Sequence, residues 1–210
     1  MNKPVINIKN LNVDYITDKN PINAVRDVTF EIFSGEIFGL VGESGSGKST
    51  VVQAMMRILP PPAIISKGEV IINDEDILAS SSLDVVGMRW KKISIVMQSA
   101  LNALNPVLSI REQIHDVLKT HKNLIGLDAD ERAKELLSLV EIDHDRLDSF
   151  PHQLSGGMKQ RIVIAIALAI MPPIIIMDEP TTALDVIVER EIIAKIIDLR
   201  KKLGFTILFI

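Results

Sequence analysis

Cysteine is absent from the 210-residue sequence. Its absence excludes disulfide bonds, cysteine nucleophiles and thiolate metal sites, and it is compatible with a reducing compartment. Aromatic residues are scarce, with one tryptophan, one tyrosine and six phenylalanines. Basic residues are not in excess either, since 23 lysines and arginines stand against 27 aspartates and glutamates. Because nucleic-acid binding usually leaves a basic patch or stripe, we expect no nucleic-acid partner.

Long apolar runs are also missing. The longest spans residues 162–177, shorter than the about 20 residues of a membrane-spanning helix, and Pro172 and Pro173 divide it into a predicted helix and a predicted strand. The opening segment, MNKPVINIKNLNVDY, lacks the apolar core of a signal peptide. We therefore expect no membrane span in this chain, and any membrane role would come through a partner.

Strand and helix patterns alternate along the sequence. Short strands are predicted between residues 5 and 36, followed by a strand, a glycine-rich loop and a helix over residues 36–59. The middle is helical: Ser109 and Glu112 form an S-x-x-E capping box, and Asp128 and Glu131 are predicted to cap a second helix. Helices at about 155–170 and 188–202 alternate with strands at 174–177 and 205–210. This order predicts an α/β fold with a mainly parallel sheet and an inserted helical lobe.

The glycine-rich loop matches the phosphate-binding pattern G-x-x-x-x-G-K-[ST] between a predicted strand and a predicted helix. Its glycines let the backbone turn N–H groups toward phosphate oxygens, the lysine adds charge near the β and γ phosphates, and the serine hydroxyl can hold Mg²⁺. A glycine-rich turn that merely contains Lys-Ser is the alternative. The matching residues are Gly42, Glu43, Ser44, Gly45, Ser46, Gly47, Lys48, Ser49 and Thr50.

A second acidic motif, IIIMDEP, ends a predicted buried strand. Open α/β sheets place ligand chemistry where strands end, so Asp178 is suited to the Mg²⁺ shell and Glu179 to orienting or deprotonating water. A solvated strand end is the alternative. The base-reading tetrapeptide N-K-x-D is absent, so a Ras-like GTPase has no support.

A third motif, LSGGMKQR at residues 154–161, puts two glycines at the start of a predicted helix. Bare backbone N–H groups there would form a second anion site, far in sequence from the first. One γ-phosphate hardly needs two helix N-termini from a single chain. The second site therefore makes sense if it serves a nucleotide held by another molecule.

With these motifs in this order, the sequence resembles the ATP-binding subunits of ABC transporters from about residue 4 onward. The resemblance implies a P-loop NTPase core with an N-terminal antiparallel β portion. We expect residues 1–97 to form that portion and the phosphate-loop part of the core, residues 98–154 the helical lobe, and residues 155–210 the rest of the core.

The resemblance also assigns roles. Tyr15 would stack on adenine, although a core or edge aromatic is the alternative, and Gln98 would contact Mg²⁺ and the attacking water. Ser155, Gly156 and Gly157 would close over ATP bound to the opposite subunit. Asp178 would belong to the metal shell and Glu179 would be catalytic. The two subunits would meet through Ala183, Leu184 and Asp185.

Within that family, VGESGSGKS, LNPVLSIREQI, LSGGMKQR and DEPTTALDV are similar to the oligopeptide and dipeptide permease group of importers. This implies an ATPase that powers solute uptake by ATP-driven dimer closure, with oligosaccharides or nickel as alternative cargoes. The implied partners are a second ATPase subunit, identical or different, two transmembrane permease subunits and, indirectly, an extracytoplasmic solute-binding protein. The present chain would be a peripheral protein on the cytoplasmic face of the membrane.

The last residues, LGFTILFI, form an apolar run that predicts a buried strand. In the family the matching strand leads into a histidine that contacts the γ-phosphate. None of His115, His121, His144 and His152 matches that histidine by motif. We therefore expect a C-terminally truncated chain that binds ATP but turns it over weakly.

Two rival functions remain. A soluble ABC-type ATPase acting on DNA or ribosomes is disfavoured because the chain lacks sustained heptads, zinc cysteines and a second cassette. A partner subunit that binds ATP without hydrolysing it is disfavoured by Glu179 but favoured by the missing histidine.

Overall fold

The computed structural model describes residues 3–97, 103–182 and 184–210. The strands are β1 (Pro4–Tyr15), β2 (Ile22–Phe33), β3 (Ile37–Gly39), β4 (Ala63–Ile72), β5 (Glu75–Asp76), β6 (Ile93–Val96), β7 (Ile174–Met177) and β8 (Thr206–Phe209). The α-helices are α1 (Lys48–Met55), α2 (Ser82–Met88), α3 (Ile110–Lys122), α4 (Gly126–Leu139), α5 (Gly156–Ala167) and α6 (Val186–Leu203). Short 3₁₀ helices lie at His144–Asp148 and Pro151–Gln153.

The strands form two four-stranded sheets. One is antiparallel, in the order β2-β1-β4-β5, and the other is parallel, in the order β3-β8-β7-β6. The predicted α/β class, with a parallel sheet and an antiparallel N-terminal portion, is confirmed. The short strands predicted near the N-terminus are wrong, since β1 and β2 have 12 residues each. Register shifts along their pairing interrupt the alternation of side chains, so each long strand resembles several short ones in sequence.

The C-terminal strand β8 lies inside the parallel sheet, between β3 and β7. Its residues Thr206, Ile207 and Leu208 are buried. The Thr206 hydroxyl accepts a hydrogen bond from the Gly35 N–H at 2.9 Å, which compensates the burial of that polar group. A strand with a neighbour on each side and covered faces has a near-continuous apolar sequence, so the predicted buried strand is confirmed.

The helical middle of the chain packs against α5, α6 and the parallel sheet in one apolar core. The Ser109–Glu112 capping box of α3 is confirmed. The predicted cap of α4 is wrong, because the helix begins at Gly126 and its N-cap residue, Ile125, makes no side-chain cap bond. Asp128 lies instead in the first turn, where a negative charge favours the helix N-terminus. The division of the chain at residues 97 and 154 stays a prediction.

No helix in the described parts of the chain is both long enough and apolar enough to cross a bilayer.

Candidate functional site

The candidate site lies where parallel strands end. After β3 the chain enters the glycine-rich loop and then α1, and after β7 it continues directly to Asp178. The strands β3, β8 and β7 are parallel neighbours, so their carboxyl ends lie at the same edge of the sheet. Ligands of open α/β sheets bind at this edge. The sheet thus brings together two motifs that are more than a hundred residues apart in sequence.

The glycine-rich loop depends on Gly47, which precedes α1. Its φ of 92° lies in the left-handed region that favours glycine. A Cβ atom at this position would lie 2.5 Å from the carbonyl oxygen of Ala24 in β2, and that backbone oxygen cannot move away cheaply. Glycine is therefore required here for the loop to pass β2 and start the helix. The N-terminus of α1 then points its positive end into the loop.

The side chain of Lys48 folds back over the loop that precedes it. Its Nζ donates hydrogen bonds to the carbonyl oxygens of Gly42 and Glu43 at 2.8 and 2.7 Å, and a longer one to Ser46 Oγ at 3.4 Å. The ammonium group is thus held inside the curve of the loop. A phosphate entering that curve would meet this charge together with the helix N-terminus.

Ser49 and Asp178, from two separate motifs, are in direct contact. Ser49 Oγ donates a hydrogen bond to Asp178 Oδ1 at 3.1 Å, and Asp178 is only 5% exposed. Burial raises the pKa of the Asp178 carboxyl above its ordinary value, and the charge of Glu179 acts in the same direction. The hydrogen bond from Ser49 and the charge of Lys48 oppose that rise.

These two oxygens fit a magnesium ion. Mg²⁺ prefers hard oxygen ligands and is usually held by one or two protein groups plus phosphates and water. Within residues 3–97, 103–182 and 184–210, no three His, Cys, Asp or Glu side chains are grouped so that they could hold a metal ion by themselves. A cation held by Ser49 and Asp178 would take further ligands from bound phosphate and water. Gln98, the third residue predicted for the metal, lies outside the described residues.

Replacing Asp178 with asparagine is expected to stabilise the protein in the absence of nucleotide and metal. The pKa of this carboxyl is raised in the folded state, so the folded chain keeps the proton to a higher pH than the unfolded chain. Stability is therefore lost as pH rises from about 4, the ordinary Asp value, through the raised pKa. At pH 7 we expect the variant to gain about 0.5–2 kcal/mol in free energy of unfolding.

Urea unfolding at pH 7 and pH 4 measures this effect. The gain should shrink at pH 4, because the raised pKa leaves the folded parent carboxyl more protonated there than at pH 7. Asp18→Asn, which changes an exposed carboxylate between β1 and β2, is the matched control and should change little. An equal gain at both pH values would contradict the prediction.

Glu179 has an unusual backbone conformation. Its φ of 47° lies in the left-handed region, and its N–H donates to the carbonyl oxygen of Ile210 at 3.1 Å. The carboxylate oxygen Oε2 accepts a hydrogen bond from Thr182 Oγ1 at 3.1 Å. Strained backbone of this kind persists where the surrounding structure holds it, and it clusters at functional sites. Thr182 had not been singled out in the sequence, although a hydroxyl three residues after Glu179 in a turn was a usable signal.

One cleft of about 590 Å³ joins the motif residues to the end of β1. Half-buried Tyr15 lies in its wall together with Lys48 and Glu179, so the structure brings these three predicted residues together. Ile22, Ala24 and Pro62 add an apolar wall beside Tyr15 that no motif had indicated. The other lining residues are Thr17, Ser44, Gly45, Gly47, Ser49 and Thr50. Such a volume is ordinary for a small-molecule site.

The third motif lies apart from this cleft. Ser155 caps α5, its Oγ accepting a hydrogen bond from the Met158 N–H at 3.3 Å. Ser155 and Gly157 line a different cleft, of about 360 Å³, which shares no residue with the first. The two glycine-rich helix starts of one chain therefore do not face the same cleft.

The segment after Glu179 ends in a capped helix. Asp185 caps α6, with Oδ1 accepting hydrogen bonds from the N–H groups of Ile187 and Val188 at 3.1 and 3.0 Å. Leu184 reaches α5, where its Cδ2 would lie 3.4 Å from a Cβ placed on Gly156. Ala183 lies outside the described residues. Leu184, one of the residues predicted to lie between subunits, is thus a neighbour of Gly156 within one chain.

Comparison with known proteins identifies the family of this chain. The sequence pattern of the family described as "ABC transporter" matches residues 25–182. The oligopeptide transport ATP-binding protein OppD of Bacillus subtilis (strain 168) is 40% identical over 209 residues, covering 98% of this chain and 58% of OppD. The dipeptide transport ATP-binding protein DppD of the same strain is 39% identical, covering 98% of this chain and 62% of DppD.

This chain therefore spans about three fifths of the length of those two relatives. The weak turnover expected from the sequence stays a prediction.

Solved structures are similar over nearly the whole chain. The dimeric structure of the cassette MJ0796 has a TM-score of 0.85 and 31% sequence identity, covering 97% of this chain and 87% of that one. A dimeric post-hydrolysis state of MJ0796 bound to ADP and Pi has a TM-score of 0.84 and 30% identity, covering 97% and 86%. The predicted cassette fold is confirmed by this similarity.

Proposed function

Because this chain belongs to the ABC transporter family, we propose that it is an ATP-binding, ATP-hydrolysing subunit of a peptide importer. The observation that carries the proposal is the contact between Ser49 and Asp178, with Ser49, Lys48 and Glu179 lining one cleft. The names of OppD and DppD, which refer to oligopeptide and dipeptide transport, support the choice of cargo.

In the proposed site, the loop N–H groups and Lys48 bind the phosphates, and Tyr15 stacks on the base against the apolar wall of Ile22 and Pro62. Ser49, Asp178 and Gln98 would hold Mg²⁺, which when bound neutralises charge on the phosphate oxygens. Water attacks the γ-phosphorus, the bond to the β–γ bridging oxygen breaks, and Glu179 takes the proton from the water. The protein mainly positions these groups and stabilises charge.

We further propose that two cassettes close on two ATP molecules. Ser155, Gly156 and Gly157 would contact ATP held by the other subunit, and residues 183–185 would line the contact between subunits. The separation of the two clefts within one chain supports this arrangement, as do the dimeric structures of MJ0796. The second subunit is either another copy of this chain or a different cassette.

The membrane partners would be two permease subunits, served by an extracytoplasmic solute-binding protein, with this chain peripheral on the cytoplasmic face. The permease subunits would dock near the helical lobe of residues 98–154, around residues 98–115. An apolar cleft of about 560 Å³ beside this lobe supports the docking site, and its walls include Trp90, Met97, Leu104, Val117 and Ile166. ATP-driven closure would push on the permease subunits through this lobe.

Peptide uptake by the cell that encodes this chain tests the proposal. Replacing the gene by a Lys48→Ala version should abolish uptake of a labelled tripeptide while leaving uptake of free amino acids unchanged. Lys67→Ala, which changes an exposed lysine of β4 outside the cleft, is the matched control and should keep uptake normal. Unchanged tripeptide uptake in Lys48→Ala cells would contradict the proposed function and favour a soluble ATPase.

A further inference from the structure

We infer that Val188 is a positioning residue for the first turn of α5, residues 155–158, and that residue 157 is glycine because Val188 occupies the space of a side chain. We call these four residues the signature turn. The inference deepens the proposed function, on which it rests, because the signature turn is the part of this chain proposed to contact the partner's ATP.

The packing of Gly157 against α6 is the first observation. A Cβ atom on Gly157 would lie 2.8 Å from Val188 Cγ1, a distance that real Cβ contacts essentially never show. Valine branches at Cβ and strongly prefers one χ1 rotamer in a helix, so its methyl group cannot swing aside as the end of a long side chain would. The start of α5 is therefore set directly against the start of α6.

Val188 is itself held in place by residues of the segment that follows Glu179. Its N–H donates to Asp185 Oδ1 at 3.0 Å, which fixes the first turn of α6. The next residue, Glu189, accepts a hydrogen bond from Thr181 Oγ1 at 2.9 Å. Thr181 lies two residues after Glu179, so a short series of contacts links the proposed catalytic carboxylate to the signature turn.

The two helices are also joined farther along. Arg161 of α5 donates to Glu191 Oε2 of α6 at 3.2 Å and to the carbonyl oxygen of Val140 at 3.4 Å. With this ion pair holding the next turn of α5, the Gly157–Val188 contact sets how closely the signature turn approaches α6. A side chain at residue 157 would push the turn away from α6 and change where its N–H groups point.

Two different reasons for a glycine at residue 157 have different consequences. If only the partner's phosphates required glycine at residue 157, adding Val188→Ala would not restore the stability and dimer formation of a Gly157→Ala variant. If Val188 requires the glycine, adding Val188→Ala should restore both properties. Gly157→Ala/Val188→Thr is the matched control, because threonine keeps the branched shape of valine and should not restore it.

Urea unfolding tests the packing. Alanine favours a helix over glycine, so Gly157→Ala would raise the urea midpoint if the space were open. We expect it to lower the midpoint, and Gly157→Ala/Val188→Ala to recover most of the loss. Gly87→Ala in α2, where no atom lies within 4 Å of the new Cβ, should hold or raise the midpoint. If Gly157→Ala and Val188→Ala had strictly additive effects on the free energy of unfolding, the inference would be overturned.

Dimer formation tests the positioning. In a Glu179→Gln background saturated with Mg-ATP, sedimentation should show self-association weakened about tenfold by Gly157→Ala and largely restored by adding Val188→Ala, but not Val188→Thr. At protein concentrations low enough to keep every variant monomeric, binding of labelled ATP should be the same in all of them, because the chain's own phosphate loop is untouched. A dimerising parent with a monomeric Gly157→Ala/Val188→Ala variant would overturn the inference. A monomeric parent would count against self-dimerisation in the proposed function, and the urea cycle would then decide the inference.

Discussion

Replacing Lys48 with alanine is expected to weaken Mg-ATP binding about 100-fold, the equivalent of one or two strong charge-assisted hydrogen bonds. The ammonium group is already held inside the loop by the carbonyl oxygens of Gly42 and Glu43, so little ordering is needed when phosphate arrives. The variant removes the only side-chain cation that lines the described cleft. Titration with a fluorescent ATP analogue at fixed salt measures the loss.

Lys67→Ala is again the matched control, because it removes the same charge from an exposed position outside the cleft. Its affinity should stay within about twofold of the parent, since distant surface charges are screened by salt. If Lys48→Ala bound ATP as tightly as this control, the cleft at the carboxyl edge of the parallel sheet would not be the nucleotide site.

Replacing Glu179 with glutamine is expected to lower the rate of ATP hydrolysis about 100-fold or more while leaving ATP affinity within a few-fold of the parent. Glutamine has the same shape and keeps an oxygen that can accept from Thr182, but it cannot take a proton from water. Loss of turnover with retained binding would separate the chemical role of Glu179 from the binding role of Lys48. Phosphate release under single-turnover conditions measures the rate.

Glu131→Gln, an exposed position on α4, makes the same chemical change away from the cleft and should hydrolyse ATP at the parent rate. With hydrolysis blocked, the Glu179→Gln chain should also accumulate as an ATP-bound dimer with its companion cassette. Hydrolysis by Glu179→Gln at the rate of the Glu131→Gln control would remove Glu179 from the catalytic role.

Much of the candidate site could be predicted because its chemistry is local. Residues 42–50 form one continuous loop, so their spacing alone indicates a phosphate cradle with a lysine and a hydroxyl in place. Asp178 and Glu179 follow a short apolar run, and buried parallel strands have that sequence. The capping box of α3 is equally local, because Ser109 and Glu112 satisfy each other across a single turn.

Predictions failed where distant parts of the chain decided the outcome. The lengths of β1 and β2 depend on pairing that continues through register shifts, and no short window of sequence contains that pairing. The cap of α4 is a separate and local error, because the helix begins at Gly126, before the acidic residues that had indicated a cap. Ile22 and Pro62 border the cleft although neither belongs to a motif, since only the folding of the antiparallel sheet brings them beside Tyr15.

The amino-acid sequence by itself determined which chemical groups are present and which neighbours along the chain they serve: a phosphate loop, an acidic pair after a strand, and a glycine-rich helix start. Only the tertiary structure decided that Ser49 contacts Asp178, that Thr182 contacts Glu179, and that Val188 occupies the space beside Gly157. The reason is physical. Motifs depend on the spacing of consecutive residues, whereas contacts between motifs depend on the order of strands in the sheet and on the close packing of two helices.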